Sequence, residues 1–177
     1  MGKERNVGED ILDLIGNTSL VRINRLNLNP NVTIYAKLEG DNPGGSIKDR
    51  IALEMIKQAE IEGDLTKGKT IIEATSGNTG IGLAMVSVVK EYDIEIVMSE
   101  AVSIERRKML RAFGAKLILT PAELGTDGAI EKARDLIKKY PEKYFMPDQF
   151  SNEFNKIAHY ETTAKAVSYT HLTLPTN

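Results

Sequence analysis

The chain contains no cysteine and no tryptophan, and its only imidazoles are His159 and His171. The missing thiols exclude disulfides, thiolate metal sites and a cysteine nucleophile together. Two histidines leave no imidazole metal cluster to build, so no metal is expected. Aromatics are scarce at 6%, and neither charge dominates: 23 Lys and Arg stand against 25 Asp and Glu, a net of −2. Without a basic stripe interleaved with aromatics, no nucleic-acid partner is expected. No apolar run approaches the roughly 20 residues of a membrane helix. The start, "MGKERNVGED", lacks the apolar core of a signal peptide. The expectation is a cytoplasmic protein with no membrane partner.

What is present is an ordinary globular composition of 177 residues, 41% apolar and 27% charged. That length suits one domain, or one plus part of another. Short β-rich runs alternate with longer helical periods, which predicts an α/β fold: a three-layer parallel sheet with helices on both faces. The predicted strands are 33–38, 70–74, 95–98, 116–119 and, weakest in pattern, 143–146; the predicted helices are 46–62, 79–89, 103–113, 126–140 and 152 to about 166. Helix 79–89, "TGIGLAMVSVV", is apolar on nearly every side and is expected to be the most buried. Gly63 and Gly114 sit where left-handed caps form most easily, and Pro141 stops the fourth helix. The end, "VSYTHLTLPTN" (167–177), drops helical periodicity and is expected to be either disordered or foreign sequence.

Two stretches carry chemistry. In "NPGGSIKDR" (42–50), Pro43, Gly44 and Gly45 make a turn, and Ser46 with Asp49 forms a pair like a capping box that begins a helix. Lys48 then falls in the first helical turn, where the helix dipole disfavours a cation by about 0.3–1 kcal/mol at an exposed site. That field favours the free amine, the form that attacks a carbonyl. The plainer alternative makes Lys48 a solvated lysine neutralised by Asp49. In "EATSGNTGIG" (73–82), a strand ends, a run of small and polar residues turns, and an apolar helix begins. Backbone N–H groups converge there on one spot suited to an anion. The glycine spacing matches neither a Walker loop nor a dinucleotide fingerprint. A polar strand-to-helix turn with a good N-cap accounts for it equally.

Taken together, "NPGGSIKDR" and "TSGNTGIG" resemble the fold type II pyridoxal-phosphate enzymes, which are tryptophan synthase β-like, and specifically the cysteine synthase (O-acetylserine sulfhydrylase) family. "IGNTSLVRINRL", "YAKLEGDNPG", "ERRKMLRAFGAKLILT" and "DQFSN" follow in the family's order, and "LEGDNPGGS" and "HYETT" look closest to the cysteine synthase B type. Thr79 after Asn78 separates the chain from threonine dehydratases, which usually carry histidine there. The resemblance runs from about Asp10 to Lys165.

It implies that Lys48 is catalytic, holding pyridoxal 5'-phosphate as a Schiff base and then removing the substrate α-proton, and that Asn78 hydrogen-bonds the cofactor ring. It implies that Thr75, Ser76, Gly77, Thr79 and Gln149 grip the substrate carboxylate, the loop closing over the amino acid and excluding water. The reaction would be a β-replacement: O-acetyl-L-serine loses acetate in a lyase-like elimination, and sulfide or thiosulfate adds to give L-cysteine. Two other expectations stay open, a cystathionine β-synthase-like enzyme using serine and a non-catalytic anion-binding or interaction module. A homodimer is implied for the full-length form.

The family also implies a division of the chain: 1–42 belongs to the larger domain, 43–147 is a smaller α/β domain, 148–166 begins the larger domain, and 167–177 is a non-native tail. Family chains are longer, carrying a Gly/Thr-rich phosphate loop beyond the region matching Lys165. The second domain is therefore expected to be largely missing. Segments such as 20–22 and 34–38 are expected to lack sheet partners, and this chain to bind the cofactor weakly.

Overall fold

The computed structural model describes residues 7–172. Two short strands, β1 (Leu20–Ile23) and β2 (Ile34–Lys37), open the chain. They pair with each other, antiparallel, with Leu20 opposite Lys37 and Ile23 opposite Ile34. The expectation that these segments lack partners is corrected: a hairpin closes locally and needs no distant strand. On it Val21, Ile34 and Tyr35 remain exposed.

Helix α1 (Lys48–Glu62) leads to β3 (Thr70–Ala74), and α2 (Asn78–Val89) to β4 (Ile94–Ser99). After them come α3 (Ile104–Ala112), β5 (Lys116–Thr120), α4 (Gly125–Lys139) and β6 (Tyr144–Phe145). The strands form one parallel sheet in the order β5-β4-β3-β6. Alternation along the strands divides the core. Ile71, Ile94, Ile96 and Met98 pack with α1 and α2 on one face, while Ile72, Ala74 and Val97 pack against Ala129 and Ala133 of α4 on the other. The α/β architecture with helices on both faces is as expected.

Helix α1 starts at Lys48 rather than Ser46, because Ser46 Oγ accepts the Lys48 N–H at 3.1 Å and so lies outside the helix. It buries Ile51, Met55 and Ile56 completely, each worth about 1.5–3 kcal/mol. Its end is Gly63 at φ 81°, the left-handed cap. Helix α2 is buried from Thr79 to Ser87. Where α1 crosses it, a Cβ on Gly82 would stand 3.1 Å from Ala52 Cβ and 3.3 Å from Asp49 Cα. Glycine is what lets the two helices approach so closely.

After β6, α5 (Glu153–Ala158) runs into a π-helical turn (His159–Ala164) and then α6 (Lys165–Leu172). The helical path thus continues past residue 166 through the first part of the stretch expected to be irregular. Its threonine, valine and tyrosine lower helix propensity only by tenths of a kcal/mol each, and no proline intervenes before Pro175. Residues 173–177 lie outside the described residues. Among the described residues no helix is long and apolar enough to cross a membrane.

Candidate active site

The turn before Lys48 is built around Asp49. Its carboxylate is fully buried and accepts the Gly44 N–H at 2.6 Å. A Cβ on Gly44 would lie 2.4 Å from Asp49 Oδ1, so only glycine fits. Burial pushes the Asp49 carboxyl up, and the N–H groups of Gly44 and Ser46 oppose that shift. The acid half of the expected pair thus reaches back to Ser46 and Gly44, while Ser46 Oγ accepts the Lys48 N–H instead of that of Asp49.

Arg50, one residue on, is buried and ties the hairpin region to α1. Its Nε and Nη2 donate to Glu39 Oε2 and Oε1 at 2.7 and 2.8 Å, and Nη2 also reaches Thr18 Oγ1 at 3.3 Å. Glu39 further accepts from Thr18 Oγ1 at 2.7 Å and Asn42 Nδ2 at 2.9 Å. Asn42 Oδ1 in turn accepts the Gly16 N–H at 2.8 Å. Burial alone would raise the Glu39 pKa, but the hydrogen bonds of Arg50, Thr18 and Asn42 and the Arg50 charge outweigh it and hold the group at about 2. The network clamps the segment around Asn42 onto the first turn of the helix that carries Lys48. Lys48 itself is half-buried, and its Nζ makes no hydrogen bond or ion pair among the described residues.

The second stretch leaves the sheet at Ala74. Thr75 N donates to Val97 O at 3.1 Å, Thr75 Oγ1 accepts the Gly77 N–H at 3.2 Å, and Gly80 N donates to Gly77 O at 3.1 Å. Asn78, in the first turn of α2, is exposed, and its amide is free of partners among the described residues. Thr79 is buried, and its hydroxyl donates to Gln149 Oε1 at 2.6 Å. Seventy positions apart in sequence, these two residues meet across the start of α2 and the turn after β6. Ser76 and Gly77 are half-buried beside them.

Three further residues were given no site role from the sequence. Arg106 of α3 donates from Nη1 to Ser76 O at 2.9 Å and so holds the loop from outside; the pattern of the predicted helix 103–113 announces no such contact. Glu73, 2% exposed on β3, lies beside the turn that carries Gln149. His159, given no role from the sequence, stands in the π-helical turn within electrostatic reach of Lys48. Burial, then the charges of Lys48 and Arg50, hold it below the ordinary histidine range. Its signal was present as "HYETT", but helical periodicity alone cannot announce a π turn, which is often found at functional sites.

The donor set suits pyridoxal phosphate at its aldehyde and ring end: a primary amine at one helix start and an amide at another, both uncommitted among the described residues, on helices that touch at Gly82. The comparisons with known proteins agree. Residues 11–174 match the family model for pyridoxal-phosphate dependent enzymes, and the chain belongs to that family. Within it, the chain is 54% identical over 159 residues to a cysteine synthase of Flavobacterium sp., covering 90% of this chain and 51% of that relative. A hydrogen sulfide-producing enzyme of Fusobacterium nucleatum superposes with TM-score 0.87 at 51% identity, over 96% of this chain and 55% of that one. A cysteine synthase of Entamoeba histolytica superposes with TM-score 0.91 at 39% identity, over 96% and 51%. The chain spans about half the length of the curated relatives it matches.

Proposed function

We propose that this chain carries the lysine and the carboxylate-binding loop of a cysteine synthase, which converts O-acetyl-L-serine and sulfide into L-cysteine and acetate. The observation that supports it most is the Thr79–Gln149 hydrogen bond, which joins the start of α2 to the turn after β6. Because Gln149 Oε1 is occupied as an acceptor, its NH₂ is left to donate to an anion. Backbone N–H groups at the start of α2 converge on the same spot. Thr75, Ser76, Gly77, Thr79 and Gln149 thereby bind and orient the substrate carboxylate.

Lys48, through its amine, and Asn78, through its side-chain amide, would hold pyridoxal phosphate. When bound, the cofactor supplies an electron sink that weakens the bonds at the substrate α-carbon. Lys48 Nζ takes the proton from that carbon, and the half-buried position keeps the amine from full hydration. Acetate then departs from the β-carbon and sulfide takes its place. A homodimer and a cytoplasmic setting belong to the same proposal.

The test is an absorbance titration of the chain with pyridoxal phosphate, followed by product analysis with O-acetylserine plus sulfide and with serine plus homocysteine. A visible band that Lys48→Ala abolishes, with cysteine as product, supports the proposal. Ligand binding that Lys48→Ala leaves unchanged would favour an anion-binding module. Cofactor affinity is expected to be weaker than that of a full-length relative, and equal affinities would refute that part.

A further inference from the structure

We propose that Glu73 is the positioning residue for Gln149: its buried carboxylate holds the turn at Asp148 and Gln149 in the gap where the β6 chain leaves β3. The inference rests on the proposed role of Gln149 at the substrate carboxylate. Strand β6 pairs with β3 only at Thr70–Tyr144 and Ile71–Phe145, so the backbone beyond Phe145 has lost its ladder partner. Buried N–H groups must find another acceptor. The only side chain that β3 offers as an anionic acceptor is Glu73, and the N–H groups of Gln149 and Asp148 both act on its carboxylate.

The rest of the turn is pinned from its far side. Asp148 adopts φ 47°, Ser151 N and Asn152 N both donate to Asp148 O at 3.0 Å, Asn152 Nδ2 donates to Pro147 O at 2.8 Å, and Asn155 Nδ2 donates to Gln149 O at 2.8 Å. None of these bonds constrains the sheet side of Gln149. Glu73 does, and Gln149 then presents Oε1 to Thr79. Glu73 Oε2 is buried without a partner among the described residues, beside a cavity of about 50 Å³ that Asp148, Arg134, Met146 and Phe150 also line. The charged group acting on it is Asp148 on the turn, and Arg134 on α4 lines the same cavity. Burial first, then the Asp148 charge, raise the Glu73 pKa to about 7, against the pull of the backbone N–H groups. Ionisation near neutrality makes Glu73 a stronger acceptor for those two N–H groups, at a net cost in burial of the charge.

The test is a ¹H–¹⁵N titration of the whole chain between about pH 5 and about pH 9, a range that spans this group's change of charge. The backbone amides of Asp148 and Gln149 and the side-chain amide of Gln149 are expected to move together with the Glu73 carboxyl carbon, on one midpoint. Glu73→Gln is expected to abolish that midpoint, and Asp148→Asn to keep it, shifted down. Flat Gln149 resonances while Glu73 titrates would overturn the proposal, as would a midpoint that survives Glu73→Gln. Should Glu73→Gln not fold, the wild-type titration and Asp148→Asn decide. No substrate or cofactor enters the readout, so failure of the cysteine synthase proposal leaves it interpretable.

Discussion

Replacing Glu39 with glutamine keeps the shape of the side chain and removes only the charge, which makes it a direct probe of the clamp behind Lys48. Arg50 and Glu39 side chains are 3% and 14% exposed, so little solvent screens the pair. Glu39 titrates at about 2 in the folded chain against 4.5 for an ordinary glutamate. At about 1.4 kcal/mol per unit, that depression corresponds to roughly 3 kcal/mol of stability at neutral pH. Removing one partner of a buried pair costs about 3–5 kcal/mol by a separate route, because the other charge is left unpaired. Both arguments place the loss near 3 kcal/mol, a large share of a typical 5–15 kcal/mol. Urea unfolding at neutral pH should therefore show a midpoint lower by about 1–2 M for a typical slope. The sign with pH is fixed: the stabilisation is complete above pH 4.5 and is lost as pH falls towards 2. Glu39→Gln should lack that acid limb. A variant within about 1 kcal/mol of wild type, or one that keeps the limb, would show that the network carries no net stability.

Glu73 should act with the opposite sign, because its pKa is raised to about 7 from 4.5. Its contribution is complete below pH 4.5 and disappears as pH rises through 7, so wild-type unfolding free energy should decline across that window and Glu73→Gln should flatten it; an equally steep variant would contradict the assignment. Gly82→Ala inserts a methyl 3.1 Å from Ala52 Cβ and 3.3 Å from the Asp49 backbone. It should cost about 1–3 kcal/mol by forcing α1 and α2 apart, and it should lower cofactor affinity because Lys48 and Asn78 sit on those two helices; a thermal midpoint equal to wild type would refute the close packing.

Most of the sheet was legible in the sequence because its strands are short β-branched runs between helical periods. Thr70–Ala74 matches its expected bounds outright, and the buried α2 follows from a segment with no polar face. The errors fall where non-local or side-chain chemistry overrides pattern. Ser46 was expected to open the helix, yet the helix begins two residues later, with Ile47 at the N-cap and Ser46 Oγ accepting the Lys48 N–H. The β1–β2 hairpin was missed as a hairpin because its connection, 24–33, is long and carries no two-residue turn signature.

The site divides in the same way. Lys48 was singled out by its place in a first helical turn and Asn78 by the family resemblance, and both lie at helix starts, where local sequence fixes the backbone. Gln149 was readable only through family likeness, since its meeting with Thr79 depends on a turn distant in sequence. Glu73 was invisible for a physical reason: a glutamate at a strand end looks solvated in sequence, and only the premature departure of β6 makes it a buried acceptor. A strand that ends two residues after it begins creates the need, and the neighbouring strand supplies the carboxylate. If that logic holds, lengthening the ladder rather than changing Glu73 should also relieve the strand-side donors. Replacing Pro147 with a residue that has an N–H, while Glu73→Gln is present, should then partly restore the protection of the Gln149 amide against exchange. No restoration would mean that the carboxylate acts through its charge on the turn and not as a substitute for a missing strand.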